Sequence, residues 1–423
     1  MSTQPLPASA PPSPDLAGFD LTGFDLRALP AAFHEDPYRC YAALRAQSPV
    51  HRLPDGSVLL TRHADCVAVY RDPKLFSSDK KAEFGPKYGV GSPLFEHHTT
   101  SLVFNDPPLH TRVRRLIAGA LTARATDAME AGLTQWVDHL LDQMAAKAGR
   151  GEAVDLVEDF ASAIPIEVIG NLLNVPSNER GPLRAWSLAI LGALEPQLSE
   201  AQLAQGNHAV TEFVQYLHGL VARRRAEPGD PTHDVLTRLI QGESSDEHLT
   251  AVELVQNCIF LLNAGHETTT NLIANSLVAL LHWPAQKQLL IEQPALMQGA
   301  VEEFLRFESS NQLGNRISTA GAVVGGEHLP AGSRITLCIG AANRDPAVFA
   351  NPDVLDITRT PNRHLAFGFG AHQCAGMSLA RLEGRVAINH FLQRFPGYAL
   401  AGAVQRGGRV RFRGYLRVPL RGL

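Results

Sequence analysis

Thr250-Ala-Val-Glu253 and Trp283-Pro284 bracket a long helical segment. Threonine followed three residues later by glutamate is a capping box, which satisfies amide groups left free at a helix start. Proline at the other end stops the helix before it. The span is about 32 residues, or roughly 48 Å of helix, long enough to cross a whole domain. Its middle reads Ala264-Gly-His-Glu-Thr-Thr269. Gly265 weakens the helix there by about 1 kcal/mol relative to alanine. Glu267-Thr268 is polar, although Ile259, Phe260, Leu261, Leu262, Leu272 and Ile273 make the segment largely apolar.

A second segment carries more chemistry. Phe367-Gly-Phe-Gly-Ala-His-Gln-Cys-Ala-Gly376 reads as a glycine-rich loop that delivers Cys374 to the start of a helix. That helix opens Met377-Ser-Leu-Ala-Arg-Leu-Glu383, with Leu379, Leu382 and Val386 stepping by three and four. Aligned amide dipoles at a helix start lower a cysteine's pKa and favour the thiolate, a strong electron donor to iron. Gly368, Gly370 and Gly376 let the backbone lie close to a flat ligand. The plain alternative for a lone cysteine is a buried, inert thiol. Gln373 stands where a dinucleotide fingerprint needs its third glycine, and no C-x-x-C-H occurs for a thioether-linked haem.

The stretch 367–376 meets every fixed position of F-G-x-G-x-H-x-C-x-G and resembles the haem-binding loop of the cytochrome P-450 superfamily. The resemblance covers nearly the whole chain from about residue 33. It implies a mainly α fold with a small β-rich side (α+β), and a long central helix over the haem. It implies haem b as cofactor, Cys374 as its iron ligand, and Phe367 and Gly376 against it. Ala264-Gly-His-Glu-Thr268 resembles the family's A-G-x-[DE]-T helix. There Ala264 and Gly265 let the ring and O2 approach the backbone, Thr268 hydrogen-bonds the distal oxygen, and Glu267 relays protons from solvent. The competing reading is a threonine that bonds back to a carbonyl and merely bends the helix. His266-Glu267 also begins a zinc-type H-E-x-x-H, but Thr270 occupies the second histidine position.

Further matches follow. Glu303-Phe-Leu-Arg306 resembles the family's E-x-x-R pair, which is buried and joined by an arginine from the segment before the haem loop. Arg359 matches that third position, and Leu355 stands where an aromatic residue is usual. By spacing alone the pair is an ordinary surface bridge. Haem has two propionates, and buried carboxylates need partners. His110 and Arg114, which share a helix face at i, i+4, match family positions for propionate contacts, as do Arg316 and His372. Arg112 points off that face as a docking charge.

Composition is that of an ordinary globular protein, 45% hydrophobic and 19% charged over 423 residues. A net charge of −4 gives no sign of nucleic-acid binding. The five cysteines lack paired spacing, which suits a reducing cytoplasm. Residues 1–30 read as a flexible tail rich in proline and serine, without signal peptide or membrane anchor, and 31–423 as a single domain. Only 49 residues follow Cys374, so the expected electron donor is separate: a ferredoxin or flavodoxin with its reductase.

Residues 30–75 read as helix, hairpin and helix, 78–104 as a long loop, 106–300 as mostly helical, and 317–340 as strands. Arg223-Arg-Arg225 reads as a solvated helix end, and Arg409-Val-Arg-Phe-Arg413 as an edge strand. The substrate pocket should draw on the 78–104 loop, the helices between 165 and 215, Leu261, Ala264 and Asn311-Gln-Leu-Gly314. The expected activity is a monooxygenase inserting one oxygen atom from O2 into a small organic substrate. The alternatives are a peroxygenase using H2O2, or a non-catalytic haem sensor or electron carrier.

Overall fold

The computed structural model describes residues 21–119, 121–231, 234–241 and 249–423. Helices dominate. On the N-terminal side are α1 (Ala31–Glu35), α2 (Tyr38–Gln47) and α3 (His63–Arg71), followed by α4 (Lys81–Tyr88) and α5 (Pro93–Thr100). Next come α6 (Leu109–Ala118), α7 (Ala123–Asp127), α8 (Glu130–Gly149) and α9 (Ala163–Leu172). Then follow α10 (Leu183–Gly192), α11 (Glu200–Ala226), α12 (Val235–Gln241), α13 (Ala251–His282) and α14 (Pro284–Glu292). The last are α15 (Met297–Phe307), α16 (Ile339–Ala342) and α17 (Met377–Arg394).

The largest sheet has five strands, β1 (Val50–Arg52), β2 (Val58–Leu60), β3 (Phe76–Ser77), β4 (Leu313–Ser318) and β5 (Arg334–Cys338). Their order across the sheet is β1-β2-β5-β4-β3. β1 and β2 form a hairpin, β2 runs parallel to β5, and β4 is antiparallel to both β5 and β3. This sheet has its own apolar cluster around Val58, Leu60, Ile335 and Leu337, apart from the main helical core. The fold is therefore the expected one, helical with a small β-rich side.

α13 is the spine, 32 residues long, with both hydrogen bonds of its capping box formed. It and α17 meet closely at Gly384, where a Cβ would come within 3.0 Å of Leu272. α15 carries the E-x-x-R pair, and both residues are 0% exposed. Arg306 donates to both Glu303 oxygens at 2.7 Å. The carboxylate also accepts from Arg359 at 3.1 Å, from Asn362 at 3.0 Å and from the Asp356 amide at 2.9 Å. The remaining Arg306 donors hold the carbonyls of Asn343, Pro352 and Val354. This knot ties α15 to the chain that leads into the cysteine loop, and Leu355 packs in the core beside it.

Some expectations need correction. The 78–104 stretch holds α4 and α5, separated by Gly89 (φ 83°) and Gly91 (φ 82°). Each helix has only eight residues, and Gly85-Pro86 inside α4 hides its period. Residues 409–413 form no strand, only one bridge between Phe412 and Asn311. Their arginines are held by carboxylates and carbonyls of the interior, as described below. Part of the expected tail packs: Leu26 is 6% exposed and joins Phe33 and Tyr41 in the N-terminal cluster. Residues 1–20 lie outside the described residues. Arg223 and Arg224, at the end of α11, bridge Glu179 and Asp234.

Candidate active site

The cysteine loop is held by its own backbone. The Cys374 amide donates to the Phe367 carbonyl at 2.8 Å, and the Gly368 amide to that of Leu365 at 2.8 Å. Gly370 has φ 73°, and a Cβ there would stand 2.5 Å from the Tyr70 carbonyl, so no larger residue fits. Gly376 has an ordinary φ of −90°, and a Cβ there would meet no protein atom within 4 Å. Its backbone face is open, as contact with a flat group requires. Arg381 lies 4.8 Å from the centre of the Phe367 ring.

Cys374 has open surface, whereas Cys40, Cys66, Cys258 and Cys338 are buried. Protein nevertheless surrounds it, so its open side faces an internal space. That burial pushes its thiol pKa up, against the Gly376 amide and the charges of Arg114 and Arg381. Desolvation outweighs the helix dipole that the sequence places at Cys374. A metal cation in front of the sulfur reverses the balance, because a coordinating thiol is deprotonated outright.

His110, Arg114, Arg316 and His372 come together. The rings of His110 and His372 lie 3.9 Å apart, tilted by 33°. Burial, then Arg316, His110 and Arg114, push His372 down to about 2. Burial and Arg114 push His110 down as well. The Nε2 atoms of both histidines are buried without a partner. Arg316 is 8% exposed and stacks 5.0 Å over Tyr70. Neither Arg114 nor Arg316 has an ion pair among the described residues, and nearby Asp106 is bonded to Ser77 and the Ser78 amide. The result is a partly buried cationic cradle short of acceptors. A group with two carboxylates fits it.

The α13 expectation resolves into two faces. From Leu254 to Val278 every residue is buried except Phe260, Leu261, Ala264, Gly265 and Thr268. Those five positions form one stripe at helical spacing, open to the interior. Thr268 donates to the Ala264 carbonyl at 2.8 Å, the helix-bending bond, yet its hydroxyl oxygen keeps acceptor capacity toward the cavity. Gly265 has an added reason to be glycine: a Cβ would stand 1.8 Å from Ile169 Cδ1, so α9 packs where the side chain would be.

Glu267 lies on the other face. It is 7% exposed and accepts a 2.5 Å bond from Arg409, while its second oxygen has no partner. Burial raises its pKa to about 7, with Arg409 opposing and Glu195 assisting. Next to it is a cavity of about 20 Å³ lined by Arg184, His266, Glu267, Thr270, Asn271 and Arg409, among others. That is room for one water molecule. Burial pushes His266 down to about 3, so it stays neutral.

A half-open cavity of about 650 Å³ lies elsewhere, lined by Met129, Leu133, Trp136, Val168, Leu172 and Leu379 with their neighbours. Its one titratable lining residue, Glu167, bridges Arg180 at 2.6 Å, so the perturbed groups of the cysteine loop and α13 mark the chemistry better.

The chain is similar to known proteins over most of its length. The model of the family Cytochrome P450 matches residues 194–397. Cytochrome P450 107B1 of Saccharopolyspora erythraea is 37% identical over 414 residues, 94% of this chain and 98% of the relative. The chain belongs to the cytochrome P450 family. The Vitamin D(3) 25-hydroxylase of Pseudonocardia autotrophica is 39% identical over 87% of this P450 and 89% of its own length. The crystal structure of P450BioI with an acyl carrier protein bearing hexadec-9Z-enoic acid superposes with a TM-score of 0.86. It is 35% identical, over 93% of this P450 and 100% of that chain. The cofactor is haem with a cysteine thiolate on iron, and the enzyme is a monooxygenase that uses O2 on a small organic substrate. No described helix of this P450 is long and apolar enough to cross a membrane.

Some of the site escaped the sequence. Arg409, Arg411 and Glu195 lie in segments without motif, and only the folded chain brings them inward. Arg112 is no free docking charge, since it bridges Glu253 at 2.5 Å. Gln312 and Leu313, expected in the pocket, are about 1% exposed and belong to the core beside Tyr38 and Tyr41.

Proposed function

We propose that Cys374 is the thiolate ligand, and that His110, Arg114, Arg316 and His372 hold the haem propionates, with Phe367, Gly376, Ala264 and Gly265 against the ring. The observation that carries this is the acceptor-poor cationic cradle beside the one cysteine with open surface. The cofactor supplies the oxygen chemistry. The protein supplies binding, exclusion of water and protons. Thr268 presents its hydroxyl on the α13 stripe, and Glu267, next to a water-sized cavity, holds a proton near neutral pH for delivery from solvent.

The access side is closed over. Tyr88 donates to the Ala193 carbonyl at 2.8 Å, Lys87 to that of Glu195 at 2.6 Å, and the Leu94 amide to Asn207 at 3.0 Å. These bonds join α4 to the α10–α11 connection and α5 to α11, enclosing the substrate. Electrons come from a separate ferredoxin or flavodoxin with its reductase. Exposed Arg71, 5.4 Å over the Phe369 ring of the cysteine loop, offers a positive charge on that side. Five free cysteines suit a cytoplasmic enzyme. The test is the reduced carbon monoxide spectrum. The parent should give the red-shifted Soret band of thiolate-ligated haem, and Cys374→His should lose it. An unchanged spectrum in that variant would remove Cys374 from the role.

A further inference from the structure

Buried arginines in this protein are mostly matched with carboxylates. Arg306 bridges Glu303, Arg413 bridges Glu308, Arg344 bridges Asp353 and Arg180 bridges Glu167. Arg316 is unmatched and belongs to the cradle. Arg411 is also unmatched, and nothing described so far uses it. It is half-buried by area yet enclosed by protein, so its open surface faces the interior. Its guanidinium donates to the Leu313 carbonyl at 2.9 Å and to the Asn315 side chain, both neutral, and its Nε has no partner.

A second cation stands nearby. Lys87 donates to the Glu195 backbone carbonyl, not to a carboxylate, and lies 5.2 Å from the Tyr88 ring centre. Neither Lys87 nor Arg411 has an ion pair among the described residues. The two carboxylates in the neighbourhood are already engaged. Glu83 bridges Lys80 at 2.9 Å, and Glu195 accepts from the amides of Val410 at 2.8 Å and Arg411 at 3.1 Å. Lys80, Lys87 and Arg411 against Glu83 and Glu195 leave one positive charge in excess. His98 is 2% exposed in the same neighbourhood, and its Nε2 is unpartnered. The group borders the cradle, because Asn315, which Arg411 holds, directly precedes Arg316 on β4. A buried excess cation with free donors calls for an anion.

We propose that Arg411 and Lys87 form a recognition site for a carboxylate on the substrate, so that this P450 takes a free organic acid and oxidises it at a carbon remote from the carboxylate. Arg411 supplies the guanidinium N–H groups that Leu313 and Asn315 leave over, and Lys87 the second charge. Glu195 keeps the turn at Val410-Arg411 in place through its backbone amides. An acyl group held as a thioester or ester lacks the anion and gains nothing from this site. The proposal rests on the P450 reading above.

The test uses the haem-loaded protein and ω-imidazolyl alkanoic acids of graded chain length, each paired with its methyl ester. The imidazole anchors every probe at the iron and reports binding by a spectral shift, while the chain end samples the outer wall. At the length that reaches Arg411, the acid should bind about tenfold or more tightly than its ester, the weight of a charge-assisted hydrogen bond. Arg411→Gln should abolish that preference, and Lys87→Gln should reduce it. Equal binding of acid and ester at every length would overturn the proposal, as would a preference that survives Arg411→Gln. Should Arg411→Gln fail to fold, the acid–ester comparison on the parent and on Lys87→Gln still decides. Failure of the P450 reading would look different: no imidazole shift and no thiolate-type carbon monoxide spectrum.

Discussion

Arg409 donates a 2.5 Å hydrogen bond to Glu267 Oε1 across 142 residues of sequence, joining the C-terminal turn to the middle of α13. Burial moves the Glu267 carboxyl up to about 7, and Arg409 keeps it from rising further. The protonated and ionised forms are therefore both populated near neutral pH. A carboxyl buried without its arginine would stay protonated and release nothing.

Turnover should report this balance. In the parent, kcat should change through an inflection near 7, where Glu267 titrates. Glu267→Gln should turn over more slowly and lose the inflection. Arg409→Leu should move it to higher pH, because a positive charge favouring the ionised form is gone. A pH profile for Glu267→Gln that keeps the parent's inflection would assign the titration to another group.

Thr268→Ala separates the two readings of the α13 threonine. The change removes one hydroxyl, so fold, haem content and substrate binding should be unchanged. NADH consumption should continue while product per NADH falls and H2O2 rises. If the variant couples electrons to product as well as the parent does, the bond to the Ala264 carbonyl is the whole role of Thr268.

Gly265→Ala tests helix packing. Its Cβ would overlap Ile169 Cδ1 at 1.8 Å, so the variant should lose about 1–3 kcal/mol by overpacking. In an Ile169→Ala background the Gly265→Ala step should cost much less, a coupling visible in a double-mutant cycle of unfolding free energies. Additive losses would place the conflict elsewhere.

Arg306→Ala should strip Glu303 of its main partner in a site with no solvent access, at a cost of about 3–5 kcal/mol. Low yield of folded protein and poor haem incorporation are expected. Soluble protein with a full complement of haem would show that Arg359 and Asn362 alone suffice for the carboxylate.

Glu383 is 1% exposed on α17 with one oxygen unpartnered, and burial alone raises its pKa to about 8. Folding therefore favours its protonated form. That contribution is fully present below the unfolded carboxyl value and is lost as pH rises through about 8. Glu383→Gln should leave Tm unchanged at pH below the unfolded carboxyl value, with a gap over the parent that opens as pH rises and is complete above pH 8, at the equivalent of about a few kcal/mol. Parallel Tm curves for the two proteins across that range would mean that Glu383 is ionised in the folded state.

The chain's local patterns carried much of this P450. The capping box and the proline stop defined α13, because helix ends are governed by groups within a few residues of each other. The spacing around Cys374, Glu267-Thr268 and Glu303-Arg306 pointed to the chemistry for a similar reason: a helix face or a tight loop turns sequence spacing directly into geometry. Short helices such as α4 were lost, since eight residues with glycine and proline inside show no clear period. Arg409, Arg411 and Glu195 were beyond reach for another reason. In Arg409-Val-Arg-Phe-Arg413 the alternation is what a solvated edge strand would show, and local propensity cannot tell which charges face water. That depended on the partners: Glu267, Asn315, Glu308 and Glu195, brought in from other parts of the chain. Whether a charge is buried, and so whether it shifts a pKa or awaits an anion, follows from desolvation and long-range pairing, and only the tertiary structure decides those.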